Sequence, residues 1–482
     1  MKRQPTGRQG PHARGKCFTW RSDVTANSPA VQESLPPLRA TRVRWRVLAW
    51  LCSLAALTYV CRVAIIQVQD RIELDLHLSP QRLSYAFAAF SLAYALFEVP
   101  SGWLGDKLGS RKILIRIVLF WIAFTGLTGA AWSLFSLIAF RFLFGAGEAG
   151  AFPNISRASR EWFPFRERGL TQGLIWLFAR WGGAVAPLLI LVLAWPFGWR
   201  VGFVFLSALG AVWLAGFRAR FHDRPQEDPH VNQAECALIT EGRESISEAP
   251  PLSWPTMLGS STLWLLSAMY FSSNAGWSFF ISWITPYLEK DLLLSGLRLV
   301  LASGGPLFLG GIACLLGGFL TDRQVRFWGR RWGRTLQGVI AYALGGGFML
   351  AAVACTPGHA GLAYASLCLS SFVKDFGMAA SWSTTIDVGH RYSGTVGGFM
   401  NMVGNLAQVI SVPMVAWLAA LAGAPGRPVW RVSLYFYAAM FFVASICWSF
   451  VDPRKVIVYS DADPRQLRNG PSIQPAKHGG RP

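Results

Sequence analysis

The sequence GWLGDKLGSRK occurs at residues 102–112, and a shorter copy of it, GFLTDR, recurs at residues 318–323. Each copy lies where one long apolar run ends and the next begins, and the two are roughly half a chain apart. One turn of this composition is weak evidence for any fold. Two turns at equivalent places in two similar halves indicate that the chain arose by duplication of a multi-span unit.

The apolar content of the chain points to a membrane protein. Hydrophobic residues make up 52% of the 482 residues and charged residues 15%, a balance that an ordinary soluble domain does not have. Runs of about 20 apolar residues can cross ~30 Å of hydrocarbon as helices. Twelve are predicted, near 46–68, 82–104, 113–133, 135–157, 169–194, 200–220, 258–288, 298–320, 334–354, 360–386, 395–422 and 429–451. The predicted fold class is an all-α membrane protein with twelve transmembrane helices in two pseudo-symmetric six-helix bundles.

Positive charge is distributed with a membrane orientation. The net charge is +20, but the basic residues gather in the N-terminal tail and in every second connection, and the alternate connections are short and nearly neutral. The clusters contain Arg39, Arg42, Arg44 and Arg46; Lys107, Arg111 and Lys112; Arg157, Arg160, Arg166 and Arg168; Arg218, Arg220 and Arg224; Arg323, Arg326, Arg330, Arg331 and Arg334; Arg454 and Lys455. This positive-inside pattern predicts a multi-pass protein of the inner (plasma) membrane with both termini in the cytoplasm. It also disfavours a nucleic-acid partner.

Composition divides the chain into five segments. Residues 45–221 and 256–451 are predicted to form the N-terminal and C-terminal six-helix bundles. Residues 222–255 are polar and are expected to form a solvated cytoplasmic linker between them. Residues 1–44 and 452–482 are rich in Pro, Gly, Arg and Ser, which predicts disordered cytoplasmic tails.

Several other classes of protein are disfavoured. The eight cysteines are scattered singly without CxxC spacing, so we expect neither a disulfide framework nor a metal site. Gly10–Cys17 approximates a phosphate-binding loop, but Cys17 stands where Ser or Thr would bind magnesium and no strand precedes it. All seven histidines lie outside the core of any predicted span, and no HExxH occurs. We therefore expect neither nucleotide-driven pumping nor enzymatic activity.

Ionisable residues inside the predicted spans are the candidates for chemistry, because a charge at that depth costs ~2.5–3.5 kcal/mol on insertion scales. They are Arg62, Glu98, Arg141, Glu148, Arg180, Lys374 and Asp375. Arg141 and Glu148 are two helical turns apart and share one helix face, and Tyr94 and Glu98 share a face at i,i+4 spacing.

Arginine and a buried carboxylate suit two linked tasks. An inward-facing guanidinium binds a carboxylate through two charge-assisted hydrogen bonds. A buried carboxylic acid can serve as a proton carrier, because burial disfavours its charged form. Arg62, Arg141 and Glu148 therefore predict an anion site coupled to a proton. The alternative is that such charges only neutralise each other. For Arg180 and the Lys374–Asp375 pair, this alternative is as plausible as a functional role.

Two further groups carry polar chemistry. Asn401 and Asn405 share a face of the eleventh span, where amides suit sugar hydroxyls or hydrogen bonds between helices. Asp106 and Asp322 of the duplicated turn lie at the cytoplasmic mouths of their spans. With their basic neighbours they are predicted to hold one face shut and to release it when the halves rock. The predicted gating residues are Asp106, Arg111, Asp322 and Arg323.

These features resemble the major facilitator superfamily across residues 45–451. The duplicated turn is similar to the loop signature of that superfamily in both halves. A more specific match, RFLFGAGEAGAFPN at 141–154 with WFP at 162–164 and ERG at 167–169, resembles the anion:cation symporter branch. That branch includes bacterial hexuronate, glucarate and galactonate transporters, sialin and the vesicular glutamate carriers. WITPYL at 283–288 and the segment Gly397–Asn405 add to the resemblance.

The resemblance implies roles for particular residues. It implies Arg141 with Glu148 as the coupling pair. The implied substrate contacts are Tyr59, Arg62, Tyr94, Arg141, Asn274, Ser381, Trp382 and Asn401. Bacterial sugar-acid members usually carry an Asp immediately before the first-span arginine, where this chain has Cys61. Glu98 is therefore predicted to be a replacement proton site.

The sequence predicts a secondary active transporter that imports a small organic anion, a sugar acid of hexuronate, aldonate or glucarate type, by alternating access with proton symport. The expected partners are the anion and the lipid bilayer, the chain is expected to be monomeric, and no cofactor or metal is expected besides the coupling proton. Alternatives are a facilitator or exchanger of carboxylates or phosphate esters without proton coupling, which Cys61 favours, and a non-transporting membrane sensor.

Overall fold

The computed structural model describes residues 39–241, 251–355, 359–422 and 430–458, and every regular element within these ranges is helical. The α-helices are α1 (Val43–Ala64), α2 (Gln69–Asp75), α3 (Pro80–Leu108), α4 (Ser110–Gly129), α5 (Leu134–Glu148), α6 (Ala151–Trp162), α7 (Arg168–Phe197), α8 (Trp199–Arg220), α9 (Gln233–Thr240), α10 (Trp254–Leu258), α11 (Ser261–Ser278), α12 (Ile284–Lys290), α13 (Gly296–Cys355), α14 (Ala360–Gly389), α15 (Ser393–Ala422) and α16 (Trp430–Phe450). A π-helical segment, Phe279–Trp283, joins α11 to α12.

Nine stretches of the described residues are long and apolar enough to cross a membrane. Two of these stretches are double. The chain turns back within Leu301–Cys355 at Gly329, where φ is 73°, and Gln337 then donates a hydrogen bond to the carbonyl of Gly317. Ala360–Val415 contains both α14 and α15. With α11 and its continuation into α12, the helices account for the twelve predicted crossings.

Helix packing repeats between the two halves. In the first half α1 packs on α7, α3 on α5 and α4 on α8. In the second half α11 packs on α15, and α13 packs on α14 with its first part and on α16 with its second. In order of crossing, the pairs are 1–5, 2–4 and 3–6, repeated as 7–11, 8–10 and 9–12. This repetition confirms the two pseudo-symmetric bundles that the duplicated turn predicts.

The halves meet along two equivalent contacts, α3 on α15 and α7 on α13. Glycines allow the backbones to touch there. A Cβ on Gly102 would lie 2.2 Å from the carbonyl oxygen of Gly394, and a Cβ on Gly318 would lie 2.3 Å from that of Gly169. Neither position has room for a side chain. The glycines of the duplicated turn are therefore needed for close approach of the two halves.

The connector between the halves differs from the predicted solvated linker over residues 222–241. Glu235 of α9 is fully buried and lies at the start of α1. Its carboxylate accepts hydrogen bonds from Thr41 Oγ1 at 2.6 Å, from the backbone nitrogens of Val43 and Arg44 at 3.1 Å each, and from the Arg44 guanidinium at 3.2 Å. A polar segment is thus folded here because it satisfies the unpaired N–H groups of a helix terminus.

The end of the second half also extends beyond the predicted bundle. The backbone nitrogen of Ile457 donates to the carbonyl of Val388, and that of Ser253 donates to the carbonyl of Val458. Residues 452–458 therefore pack on the second half, where the sequence predicts a disordered tail. The predictions for residues 1–38, 242–250 and 459–482 lie outside the described residues.

Candidate functional site

An ion pair between Arg62 of α1 and Glu148 of α5 lies in the centre of the first half. Arg62 Nε and Nη2 are 3.2 and 3.0 Å from Glu148 Oε1. The Glu148 side chain is 1% exposed, and its Oε2 has no hydrogen-bond partner among the described residues. The Arg62 side chain keeps 21% of its surface exposed. The arginine can therefore meet a ligand while the carboxylate stays beneath it.

Local chain geometry places Glu148 at a helix end. The chain bends two residues later at Gly150, where φ is 83°, before α6 begins. A Cβ at Gly150 would lie 2.2 Å from the Cβ of Ser101, so a larger residue would push the helices apart. The sequence GEAG thus sets the position of the buried carboxylate.

Aromatic rings surround the Arg62 guanidinium. Its Cζ is 4.4 Å from the ring centroid of Tyr94, 5.4 Å from that of Tyr59 and 5.5 Å from that of Phe90. Rings in these positions attract the cation through their faces and restrict its orientation. An oriented guanidinium is suited to binding a planar acidic group through two parallel hydrogen bonds. The predicted contacts Tyr59, Arg62 and Tyr94 are therefore brought together.

Arg141, which the resemblance implies as the coupling partner of Glu148, makes no ion pair with that carboxylate among the described residues. It is 2% exposed, with its Cζ 4.8 Å from the Phe90 ring centroid and 4.6 Å from that of Phe144. In the described part of the chain its Nε has no hydrogen-bond partner. The physical reason is that two turns of α5 separate the residues by about 10 Å along the axis, whereas Arg62 approaches Glu148 from a facing helix. The Arg141 charge still acts on Glu148 through space.

A second buried acid links the two halves. Asn401 of α15 donates from Nδ2 to Glu98 Oε1 of α3 at 2.6 Å and lies 3.4 Å from the Tyr94 hydroxyl. Glu98 is fully buried, and no described residue partners its Oε2. Asn405 instead donates to the carbonyl of Asn401 within its own helix. Of the two asparagines, Asn401 therefore joins the site and Asn405 supports the helix.

The residues of the second half that are predicted to contact the substrate differ in their hydrogen-bond partners. Trp382 lies between the halves, with its ring centroid 5.6 Å from that of Trp176 and its Nε1 donating to the Tyr270 hydroxyl at 3.1 Å. Ser381 donates to a backbone carbonyl of its own helix, and Asn274 donates to the carbonyl of Tyr270. The structure thus brings Trp382 to the interface and gives Ser381 and Asn274 local backbone partners.

A second charge cluster, here named the triad, consists of Arg180, Lys374 and Asp375. Arg180 Nε and Nη2 are each 3.2 Å from an oxygen of Asp375, and Lys374 Nζ contacts Asp375 Oδ1. All three side chains are at most 1% exposed. Arg180 Nη1 donates to the Tyr59 hydroxyl at 3.3 Å. The sequence offers these residues as candidates but cannot pair α7 with α14.

The two aspartates of the duplicated turn join the halves at one end of the molecule. Asp106 accepts from the backbone nitrogens of residues 394–395 at 3.0 and 2.6 Å and from Thr395 Oγ1 at 2.7 Å. Asp322 accepts from the backbone nitrogens of residues 169–170 at 2.9 and 2.8 Å. Each acid thus caps the N-terminus of a helix in the opposite half, where negative charge is favoured. We name these two contacts the latches.

The basic residues predicted to work with these acids have other contacts. The backbone nitrogen of Arg111 donates to Oδ1 of Asp223, at the start of the connector, at 2.8 Å, and Arg323 lies over an aromatic ring one turn along its helix. Both latch acids lie close to other arginines. Asp106 Oδ1 is 3.4 Å from Arg157 Nε, and Asp322 Oδ1 is 3.8 Å from Arg334 Nη1. None of these contacts of Arg111 and Arg323 joins the two halves, and the gating role of the two residues stays a prediction.

The described residues form twelve crossings in two equivalent halves with charged groups buried between them, which defines a multi-span membrane carrier. The family model of the Major Facilitator Superfamily matches residues 48–412, and the chain belongs to this family. It is a transporter and not an enzyme.

Curated relatives cover most of the chain. The probable sulfoacetate transporter SauU of Cupriavidus necator is 30% identical over 431 residues, which are 89% of this chain and 98% of SauU. The probable galactarate/D-glucarate transporter GarP of Escherichia coli is 26% identical over 434 residues, covering 86% of this chain and 95% of GarP. The hexuronate transporter of Escherichia coli is 26% identical over 391 residues, covering 79% and 89%. These relatives confirm the resemblance to the anion:cation symporter branch.

Solved structures show the same fold. The proton:xylose symporter XylE, bound to 6-bromo-6-deoxy-D-glucose, superposes with a TM-score of 0.66 over 86% of this chain and 98% of its own. The human organic anion transporter MFSD10 superposes with a TM-score of 0.63 over 85% of this chain and 100% of its own. Both are 15% identical, so the likeness concerns the fold alone.

Proposed function

We propose that the protein carries a small organic anion of the sugar-acid type across the membrane, with Arg62 binding its acidic group. The observation that carries this proposal is a partly exposed guanidinium held by aromatic rings above a buried carboxylate. The relatives support it, because SauU, GarP and the hexuronate transporter are named for organic acids. Hydroxyl groups of the substrate would contact Tyr59, Tyr94 and Asn401.

Proton symport follows from competition for one guanidinium. When Glu148 is ionised it holds Arg62, and a bound anion must share or replace that partner. Protonation of Glu148 removes the competing charge, so the proton raises the affinity for the anion and the anion raises the affinity for the proton. Such reciprocal coupling is what symport requires. Glu148 Oε2, which accepts no hydrogen bond from any described residue, gives the added proton room.

Glu98 is the proposed second proton site. It lies at the contact between α3 and α15, with one oxygen held by Asn401 and the other without a partner in the described ranges. Its protonation would therefore affect the contact between the two halves as well as the binding of the substrate. Cys61, which is 2% exposed, cannot replace a carboxylate as a proton carrier near neutral pH, because an ordinary thiol loses its proton well above that range.

The proposed direction is import across the inner membrane by a monomer with both termini in the cytoplasm. The support for this orientation is the cluster of basic residues at the latch end, including Lys107 and Lys112. With both latches formed, the described state is closed at that end. Alternation would then open the latches after the substrate and proton have bound.

The second candidate is a facilitator or exchanger without proton coupling, favoured by Cys61 in place of an acid. Uptake into proteoliposomes separates the two candidates. Labelled galactonate, glucuronate, galacturonate, glucarate, lactate, sialic acid and sulfoacetate are offered with and without an inward proton gradient. Accumulation above equilibrium with the gradient supports symport, and uptake that only equilibrates supports facilitation. Absence of uptake for the whole panel contradicts organic-anion transport.

Variants make the same assay specific to the site. Arg62→Lys keeps the charge but loses the planar fork, so uptake should fall by about tenfold or more. Arg326→Lys is the matched control, because Arg326 is exposed on the surface and lies outside the proposed site. Equal uptake by both variants would contradict the role of Arg62.

A further inference from the structure

The triad carries more positive than negative charge in a buried place. Arg180 and Lys374 share the carboxylate of Asp375, and the described residues supply no further anion within ion-pair distance of either cation. Burying unbalanced charge is costly, and charged groups inside a membrane protein mark substrate or ion pathways. An acidic group arriving at the triad would therefore be strongly favoured.

An aromatic ring covers the side of the triad where such a group could bind. The centroid of Trp277 is 3.6 Å from Arg180 Cζ and 4.3 Å from Lys374 Nζ. Trp277 stands two residues before the π-helical segment Phe279–Trp283. Single π-helical turns occur frequently at functional sites. A charge-assisted hydrogen bond is stronger than the contact of a cation with a ring, so an acidic group would displace the indole.

Tyr59 connects the triad to the first site. Its hydroxyl accepts a hydrogen bond from Arg180 Nη1 at 3.3 Å, and its ring centroid lies 5.4 Å from Arg62 Cζ. Tyr59 thus contacts both guanidinium groups. Arg62 and Arg180 belong to the first half, and Lys374 belongs to the second. A ligand that reaches both sites would contact both halves.

The charge balance of the buried groups favours a substrate with two negative charges. Within the described ranges, the buried centre contains four cations and three carboxylates, which are Arg62, Arg141, Arg180, Lys374, Glu98, Glu148 and Asp375. When Glu148 alone takes a proton, the surplus is two positive charges, and one dianion balances it. When Glu98 takes a proton as well, the surplus is three, and a dianion leaves fewer buried charges unpaired than a monoanion does.

We propose that Arg180 and Lys374 form a second anion subsite and that the transported substrate carries two acidic groups. This inference rests on the proposed function, with Arg62 as the first subsite. Asp375 orients the two cations and shields them from each other while the subsite is empty. Trp277 covers the subsite until the second acidic group arrives.

Matched acids that differ by one charge test the inference. D-glucarate and D-gluconate share a six-carbon chain and differ at one terminal carbon, and succinate and butyrate form a shorter pair. Binding is measured by thermal stabilisation of the purified protein and by competition in proteoliposome uptake. The wild type should bind the dianion of at least one pair about tenfold or more tightly than its monoanion.

Substitution of Lys374 gives the decisive comparison. Lys374→Met leaves Arg180 paired with Asp375 and should lower dianion affinity by about tenfold, with monoanion binding unchanged. Lys374→Arg should keep the dianion preference. Should Lys374→Met fail to fold, Trp277→Leu tests the same subsite, because removing the cover should increase the stabilisation by a dianion relative to a monoanion.

The outcomes separate the inference from the proposed function. Equal affinity for both members of both pairs in the wild type, or equal losses for dianion and monoanion in Lys374→Met, would overturn the second subsite and leave organic-anion transport intact. Failure of all four acids to bind, together with no uptake of the wider panel, would contradict the proposed function itself.

Discussion

Replacing Asp106 by asparagine should shift the protein towards the state that is open at the latch end. The carboxylate accepts three hydrogen bonds from residues 394–395 of the opposite half. A hydrogen bond to a charged group contributes about 1.5–3 kcal/mol, and asparagine can keep one of the three with its remaining oxygen. In the open state, hydrogen bonds with water replace part of the interactions that residue 106 makes in the closed state. We therefore expect the closed state to lose about 2 kcal/mol, or about thirtyfold in population ratio.

Distances between spin labels measure this shift. Leu108 and Arg391 are exposed on opposite halves at the latch end. Nitroxide labels are attached at these two positions in a variant whose eight cysteines have been replaced. Asp106→Asn should add a longer distance to the distribution measured by double electron–electron resonance. Asp322 accepts from two backbone nitrogens, and asparagine can keep one of these hydrogen bonds. The smaller cost of Asp322→Asn, about 1 kcal/mol, should therefore give about a fivefold shift.

A control within one half makes the result specific. Asp223, at the start of the connector, accepts a hydrogen bond from the backbone of Arg111 at the same end of the molecule, and neither residue belongs to the second half. Asp223→Asn should therefore leave the distance distribution unchanged. If Asp106→Asn also leaves it unchanged, or if Asp223→Asn changes it equally, the latch does not hold the halves together in the way that the hydrogen bonds imply.

Three further changes test the coupling and the fold. Glu148→Gln should abolish accumulation driven by a proton gradient and retain exchange of labelled for unlabelled substrate, which counterflow measures; retained accumulation would contradict the coupling role. Glu98→Gln should flatten the dependence of uptake on pH between about 5 and 8, and an unchanged pH profile would exclude Glu98 as a proton site. Glu235→Ala should lower the stability of the first half by about 2–4 kcal/mol, because it leaves the N-terminus of α1 uncapped. Thermal unfolding in detergent measures that loss, and Glu235→Gln, which keeps an acceptor, should lose less.

The hydrophobic pattern of the sequence was enough to predict the number of crossings, and the repeated turn and the motif at 141–154 were enough to predict the duplication and the family. Hydrocarbon requires every backbone polar group to be paired within its own helix, so each crossing leaves a run of apolar residues that is visible in the sequence. The same solvent makes buried charges rare. The candidates Arg62, Glu98 and Glu148 could therefore be selected before any contact was known, and the glycines of the duplicated turn marked where the halves approach.

Pairing between these residues was decided by the tertiary structure. Glu148 pairs with Arg62, 86 residues away, and not with Arg141 on its own helix. Asp375 binds Arg180 across 195 residues, and the latch of Asp106 spans 289. An ion pair needs its atoms within a few ångströms, and only the packing of helices distant in sequence brings them there. Residues of one helix share a face according to a fixed period, but which facing helix supplies the partner depends on how the two halves fold together.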